Sequence, residues 1–164
     1  MRATGREMQL TRQIGEHLVA AELGRLGYVA APFAGNVPMF DLLAANALGH
    51  ATPVQVKTIR GGSWQFSIDT FLTIEFQGRR QVVRGKKALP VPNLLCIFVL
   101  LVGQGADEFF IFELKDLQNH FVRSYKGRIR PKNFESMHCA VGPKDLKRFE
   151  GNWQLIEKFI GPSK

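Results

Sequence analysis

Within the stretch FDLLAANALGHATPVQVKT, residues 40 to 58, Asp41, Gln55 and Lys57 are the side chains equipped for hydrolytic chemistry. A carboxylate and a carbonyl-type oxygen can hold a hard divalent cation, Mg²⁺ or Mn²⁺. An ammonium beside them can orient or activate a water and offset the charge that develops on a phosphodiester. The backbone carbonyl of Val56 is a natural further oxygen ligand, and Glu16, on a preceding helix, can supply a second carboxylate. The alternatives for Glu16 are an ordinary helix-surface pair with Arg12, four residues earlier, and Glu22 as the acid in its place.

Strand geometry is what would bring these residues together. Side chains two apart on a strand share a face, so Gln55 and Lys57 point one way while Val54 and Val56 point into the core. A hairpin turning near Leu48 and Gly49 sets Asp41 opposite either Gln55 or Lys57, and both registers leave the three on one face. Upstream, LTRQIGEHLVAAELGRL over residues 10 to 26 reads as a helix that stops at Gly27.

This ordered set resembles the PD-(D/E)xK nuclease superfamily, which includes restriction enzymes and Holliday-junction resolvases. The matching features are the helix GEHLVAAELGRLGY, a strand ending in Phe40-Asp41, and Gln55-Val56-Lys57, together spanning roughly residues 10 to 67. The resemblance implies a restriction-endonuclease-like α/β (α+β) core with a mixed central β-sheet flanked by helices. It also implies Glu16, Asp41, Gln55 and Lys57 as the catalytic set and a divalent metal held by Asp41, Gln55, Val56 and Glu16. The departure is Gln55 where the superfamily usually carries an acid, a Q-x-K variant also found in a group of intron-encoded homing endonucleases. An amide oxygen can still ligate a cation or hydrogen-bond its water, but one negative charge is missing.

The rest of the chain fits a single domain over residues 1–164. Short β-rich runs, YVAA, MFDLLA, VQVKTI and WQFSI, suggest a strand meander. LLCIFVLLV and EFFIFEL suggest a hairpin in the sheet interior, and KDLQNHFVRSY a helix. SMHCAV suggests a short strand, and a C-terminal helix is expected from near Pro143. The longest apolar run, Leu94 to Val102, falls far short of the roughly 20 residues of a membrane span. There is no apolar leader at the N-terminus, and Cys96 and Cys139 lack paired-ligand spacing and read as buried thiols, so a reducing cytoplasm is expected.

Twenty-two Lys and Arg against 14 Asp and Glu give a net charge of +8, which favours a polyanionic partner, DNA first. Arg79, Arg80, Arg84, Lys86 and Lys87 read as an exposed basic loop, and Arg128, Arg130 and Lys132 as a second basic stretch; the two could clamp a double-stranded or branched duplex. Asn36 and Trp64 are further nucleic-acid candidates, the former in a turn ahead of Asp41 and the latter after the basic turn RGGS, with Gln65 beside it. None of the four histidines pairs with another at metal-ligand spacing. The leading expectation is a metal-dependent DNA endonuclease, dimeric because cutting two strands usually takes two sites. The alternatives are a nucleic-acid-binding module on the same fold and an assembly protein whose basic face meets an acidic partner.

Overall fold

The computed structural model describes residues 5–34, 38–125 and 135–163. Helix α1 runs from Gly5–Arg25. It ends in a Schellman arrangement, with the Tyr28 N–H on the Leu23 carbonyl at 3.0 Å and Gly27 at φ +89°, the left-handed conformation that glycine adopts without strain. The helix starts earlier than its apolar pattern suggested and stops where expected.

Five strands form the central sheet in the order β1 (Val29–Pro32), β2 (Leu42–Ala45), β3 (Ala51–Ile59), β7 (Leu95–Leu100) and β8 (Glu108–Glu113). Strands β3 and β7 are parallel and the other neighbours antiparallel, so the sheet is mixed. Strand β7 is buried on both faces, which is why its sequence is continuously apolar. Leu95, Ile97 and Val99 face a core built with Val19 and Leu23 of α1 and with Ile156 and Ile160 of α3 (Leu155–Ile160). Cys96 and Phe98 face an aromatic core with Trp64, Phe71, Phe110, Phe112 and Phe121. Both cysteines are buried, and neither is in a disulfide. Burial pushes the Cys96 thiol well above its ordinary range, although the Lys57 charge opposes the shift.

Several expectations are corrected. The strand meander is confined to β1, β2 and β3. Strand β4 (Trp64–Ser67) leaves the sheet and pairs with β9 (His138–Val141). Residues 80–86 form not a loop but strand β6 (Arg80–Lys86), hairpinned with β5 (Leu72–Gln77) as a separate ribbon. Alternation explains this: Leu72, Ile74, Gln81 and Val83 share the inward face, while the flanking Glu75, Arg80 and Arg84 are exposed. The single C-terminal helix becomes a 3₁₀ segment, Pro143–Phe149, followed by short α3, with Gly151 at φ +63° interrupting the two. The hairpin β7–β8 and the helix α2 (Leu114–Tyr125) form as expected. No described helix is long and apolar enough to cross a membrane.

Candidate active site

The hairpin β2–β3 pairs Leu42 with Val54 and Ala45 with Ala51. That register, continued by one residue, sets Asp41 opposite Gln55 rather than Lys57. The loop is held by Asn46, whose side-chain oxygen accepts the Leu48 and His50 N–H groups at 3.0 Å each, while its amide reaches the Ile160 carbonyl at 2.5 Å. The Asp41 backbone is fixed from both sides: its N–H donates to the Val54 carbonyl at 2.9 Å, and its carbonyl accepts the Phe33 N–H at 3.0 Å. Two residues earlier Met39 sits at φ 76°, an uncommon conformation for a non-glycine residue and one found disproportionately near functional sites.

Strand β2 begins only at Leu42, so beyond Val54 it no longer covers the edge of β3. The Asp41 carboxylate fills that edge, with Oδ2 accepting the Val56 N–H at 2.8 Å. Because a strand residue sends its N–H and C=O to the same edge, the Val56 carbonyl leaves on the Asp41 side as well. Gln55 and Lys57 alternate with the buried Val54 and Val56 and lie on the aromatic-core side, beside Cys96 and Phe98 of β7. The Gln55 amide oxygen is 4.0 Å from the Cys96 sulfur. The Lys57 ammonium lies 5.3 Å from the Phe66 ring centre, within cation–π range.

Arg12, Asp41, Gln55, Val56 and Lys57 therefore line one open cleft of about 420 Å³, with Phe40, Thr58 and Gln65 among its other walls. Glu16 approaches it through Arg12: the Arg12 Nε donates to Glu16 Oε1 at 2.7 Å and its terminal nitrogen to Asp41 Oδ1 at 3.0 Å. The Glu16 hydrogen bond first, and then the Asp41 charge, hold the guanidinium more firmly protonated than usual despite its partial burial. Helix α1 gets this close because of Gly15, which is buried against β3: a Cβ there would lie 1.7 Å from Thr58 Oγ1. Neither Gly15 nor the Arg12–Asp41 bridge was picked out from sequence. The adjacent Gly15-Glu16 pair inside an otherwise good helix was the available signal.

The remaining candidates divide. Trp64 is corrected: at 2% exposure it belongs to the core, packed on Phe98 and Phe110 at ring distances of 5.2 and 5.6 Å. Its indole N–H donates to the Lys57 carbonyl at 3.1 Å, so it supports β3 from beneath and offers no face to a base. Gln65 lies at the cleft, its amide bonded to Ser63. Arg80 and Arg84 are exposed on the β5–β6 ribbon, and Arg79 is exposed at its turn. Arg84 pairs with Glu75 at 2.6 Å, Lys86 bonds Asn119 at 2.6 Å, and Lys87 bonds the Asp69 carbonyl at 2.9 Å, so these three help fasten the ribbon to itself and to the body. None of the ribbon cations lines the cleft. Asn36, Arg128, Arg130 and Lys132 lie outside the described residues.

The candidate ligands at the cleft are all oxygens: the Asp41 carboxylate, the Gln55 amide and the Val56 carbonyl, with the Glu16 carboxylate behind Arg12 and not itself lining the cleft. That chemistry suits Mg²⁺ or Mn²⁺ rather than a soft metal. Among the described residues no three His, Cys, Asp or Glu side chains gather as a metal cage. Mg²⁺ does not demand one, since it keeps several waters and commonly uses one or two carboxylates together with substrate phosphate.

No protein-family model matches the chain, and no curated protein matches it by sequence. Among solved structures it is similar to the bacterial homing endonuclease I-Ssp6803I, with a TM-score of 0.51 and 13% identity over 92% of this chain and 93% of that one. At that identity the likeness is one of fold.

Proposed function

We propose that this chain is a Mg²⁺- or Mn²⁺-dependent endonuclease of the PD-(D/E)xK type that hydrolyses phosphodiester bonds in double-stranded or branched DNA, acting in the cytoplasm as a homodimer. The observation that carries the reading is the convergence of Asp41, Gln55 and Lys57 on one open cleft, with Asp41 locked by the Val56 N–H at 2.8 Å. The fold shared with a homing endonuclease supports it, as does the charge of +8.

In this reading Asp41, the Gln55 amide oxygen, the Val56 carbonyl and Glu16 would hold the cation. When bound, the metal supplies Lewis-acid polarisation of the phosphate and a more acidic water. The chain's own residues do the rest. Asp41, pinned at Oδ2, keeps its other oxygen aimed into the cleft. Lys57, carried along the Phe66 ring, orients the attacking water and offsets the charge that grows on the phosphate oxygens. Trp64 holds the Lys57 backbone in place from the core side. Arg79, Arg80 and Arg84 of the ribbon, with Lys86 and Lys87 at its base and Arg128, Arg130 and Lys132 elsewhere, supply phosphate contacts.

The test is direct: supercoiled, linear and four-way-junction DNA incubated with the protein and Mg²⁺, Mn²⁺ or chelator. Nicks or breaks that require the metal are expected. Retention of DNA without cutting under any metal would instead favour a binding module on this fold, a reading to which the missing third acid at Gln55 lends weight.

A further inference from the structure

We infer that Arg12 is a positioning residue whose guanidinium holds the cation position between Asp41 and Glu16 and gives it up to a divalent ion. The inference rests on the reading of the cleft as a metal-dependent site.

A helix-surface pair between Arg12 and Glu16 would need no third member. Here the same guanidinium crosses to Asp41, 29 residues away, and bridges both carboxylates at 2.7 and 3.0 Å. The acids are the sheltered partners, each 12% exposed at the side chain, whereas Arg12 is 47% exposed. The cation therefore closes the cleft side of the pair. Two carboxylates drawn to one place repel unless a positive charge lies between them, and Arg12 supplies that charge.

The carboxylates can keep their places when the cation changes. Asp41 Oδ2 is held by the Val56 N–H, so only Oδ1 changes partner. Glu16 follows Gly15, which is seated against Thr58, so the helix carrying it is held in place. Half-exposed ion pairs are weak and exchange readily. Once released, the guanidinium stays at the cleft wall, where its planar fork suits a phosphate.

Calorimetric titration with Mn²⁺ alone, on the wild type, Arg12→Gln and Arg12→Lys, tests this, with melting curves in chelator and in Mn²⁺ as the check on folding. Arg12→Gln should bind Mn²⁺ roughly two- to thirtyfold more tightly, the factor expected from removing two competing half-exposed ion pairs. It should also melt lower in chelator and gain more from Mn²⁺ than the wild type does. Arg12→Lys, which keeps the charge and loses the fork, should fall between. Affinity equal to or below the wild type in both variants overturns the role of Arg12 and leaves the metal site standing. Absence of Mn²⁺ binding in the wild type and both variants overturns the metal-dependent reading itself, and the inference with it.

Discussion

Replacing Gly15 with Ala separates helix propensity from helix placement. In an open helix the change would stabilise by about 1 kcal/mol, because glycine loses more backbone entropy than alanine on folding. Here the new methyl would meet Thr58 Oγ1 at 1.7 Å, Thr58 Cβ at 2.8 Å and Cγ2 at 2.9 Å. Ordinary contact needs about 3.5–4 Å between carbons, so relief requires α1 and β3 to part by about 1 Å or more. Overpacking typically costs about 1–3 kcal/mol and occasionally more; an overlap this deep belongs at or above the top of that range, so after the propensity gain a net loss of about 2 kcal/mol is expected. For a chain of this size that is a fall of about 4–8 °C in melting temperature. The same displacement would stretch the Arg12–Asp41 bridge, now 3.0 Å, and loosen the cleft. Adding Thr58→Ala removes the two outer atoms of the clash and a buried hydroxyl that has no hydrogen-bond partner among the described residues, so the double variant should recover part of the loss. Urea denaturation of the wild type, both single variants and the double variant measures this coupling. A Gly15→Ala protein as stable as the wild type, or more so, would refute the close seating of α1 on β3.

Three further outcomes are expected. Gln55→Glu adds a negative charge beside Asp41 and should tighten Mg²⁺ or Mn²⁺ binding by calorimetry; unchanged or weaker affinity would mean that Gln55 does not face the ion. Neutralising Arg79 and Arg80 together should weaken DNA binding for all sequences and flatten its salt dependence by about one unit for each phosphate no longer neutralised, whereas an unchanged slope would make the ribbon tip surface only. Glu113 is buried and bonded to Lys115 and Lys158 at 2.5 Å each; burial alone would raise its pKa, but the two lysines outweigh it and hold the carboxyl below its usual value. A depressed folded-state pKa contributes stability above the unfolded value of about 4.3 and loses it as pH falls through the folded one, so Glu113→Gln should cost about 1–3 kcal/mol at pH 7 and progressively less below about pH 4. A difference that does not change with pH would contradict the assignment.

What could be read from the sequence was local. Alternation along β3 separated Gln55 and Lys57 from Val54 and Val56, and Gly27 marked the end of α1, because period and capping depend on near neighbours. The hairpin pattern narrowed the partner of Asp41 to two residues, and the Asn46 loop selects between them. What escaped depends on residues far apart in the chain. Gly15 is needed because of Thr58, and Arg12 matters because β2 ends short of Asp41. Trp64 followed a basic turn and looked exposed, yet β4 leaves the sheet to cover the aromatic core and carries Trp64 inward. The density of Arg and Lys over residues 79–87 reads as loop, yet the inward alternation of Leu72, Ile74, Gln81 and Val83 makes the segment a strand of the ribbon.

Asp41 and Lys57 divide the proposed chemistry between them, the one holding the metal and the other serving the water and the phosphate. The most direct measurement follows the cleavage of supercoiled DNA by Asp41→Asn and Lys57→Ala in Mg²⁺ and Mn²⁺, with Mn²⁺ affinity recorded on the same preparations. Both variants should stay folded, since Asn can still accept the Val56 N–H and Lys57 is only partly buried at the cleft. Asp41→Asn should lose both metal affinity and cleavage, while Lys57→Ala should lose cleavage and keep the metal. Cleavage at the wild-type rate by both variants would contradict the assignment of this cleft as the catalytic site.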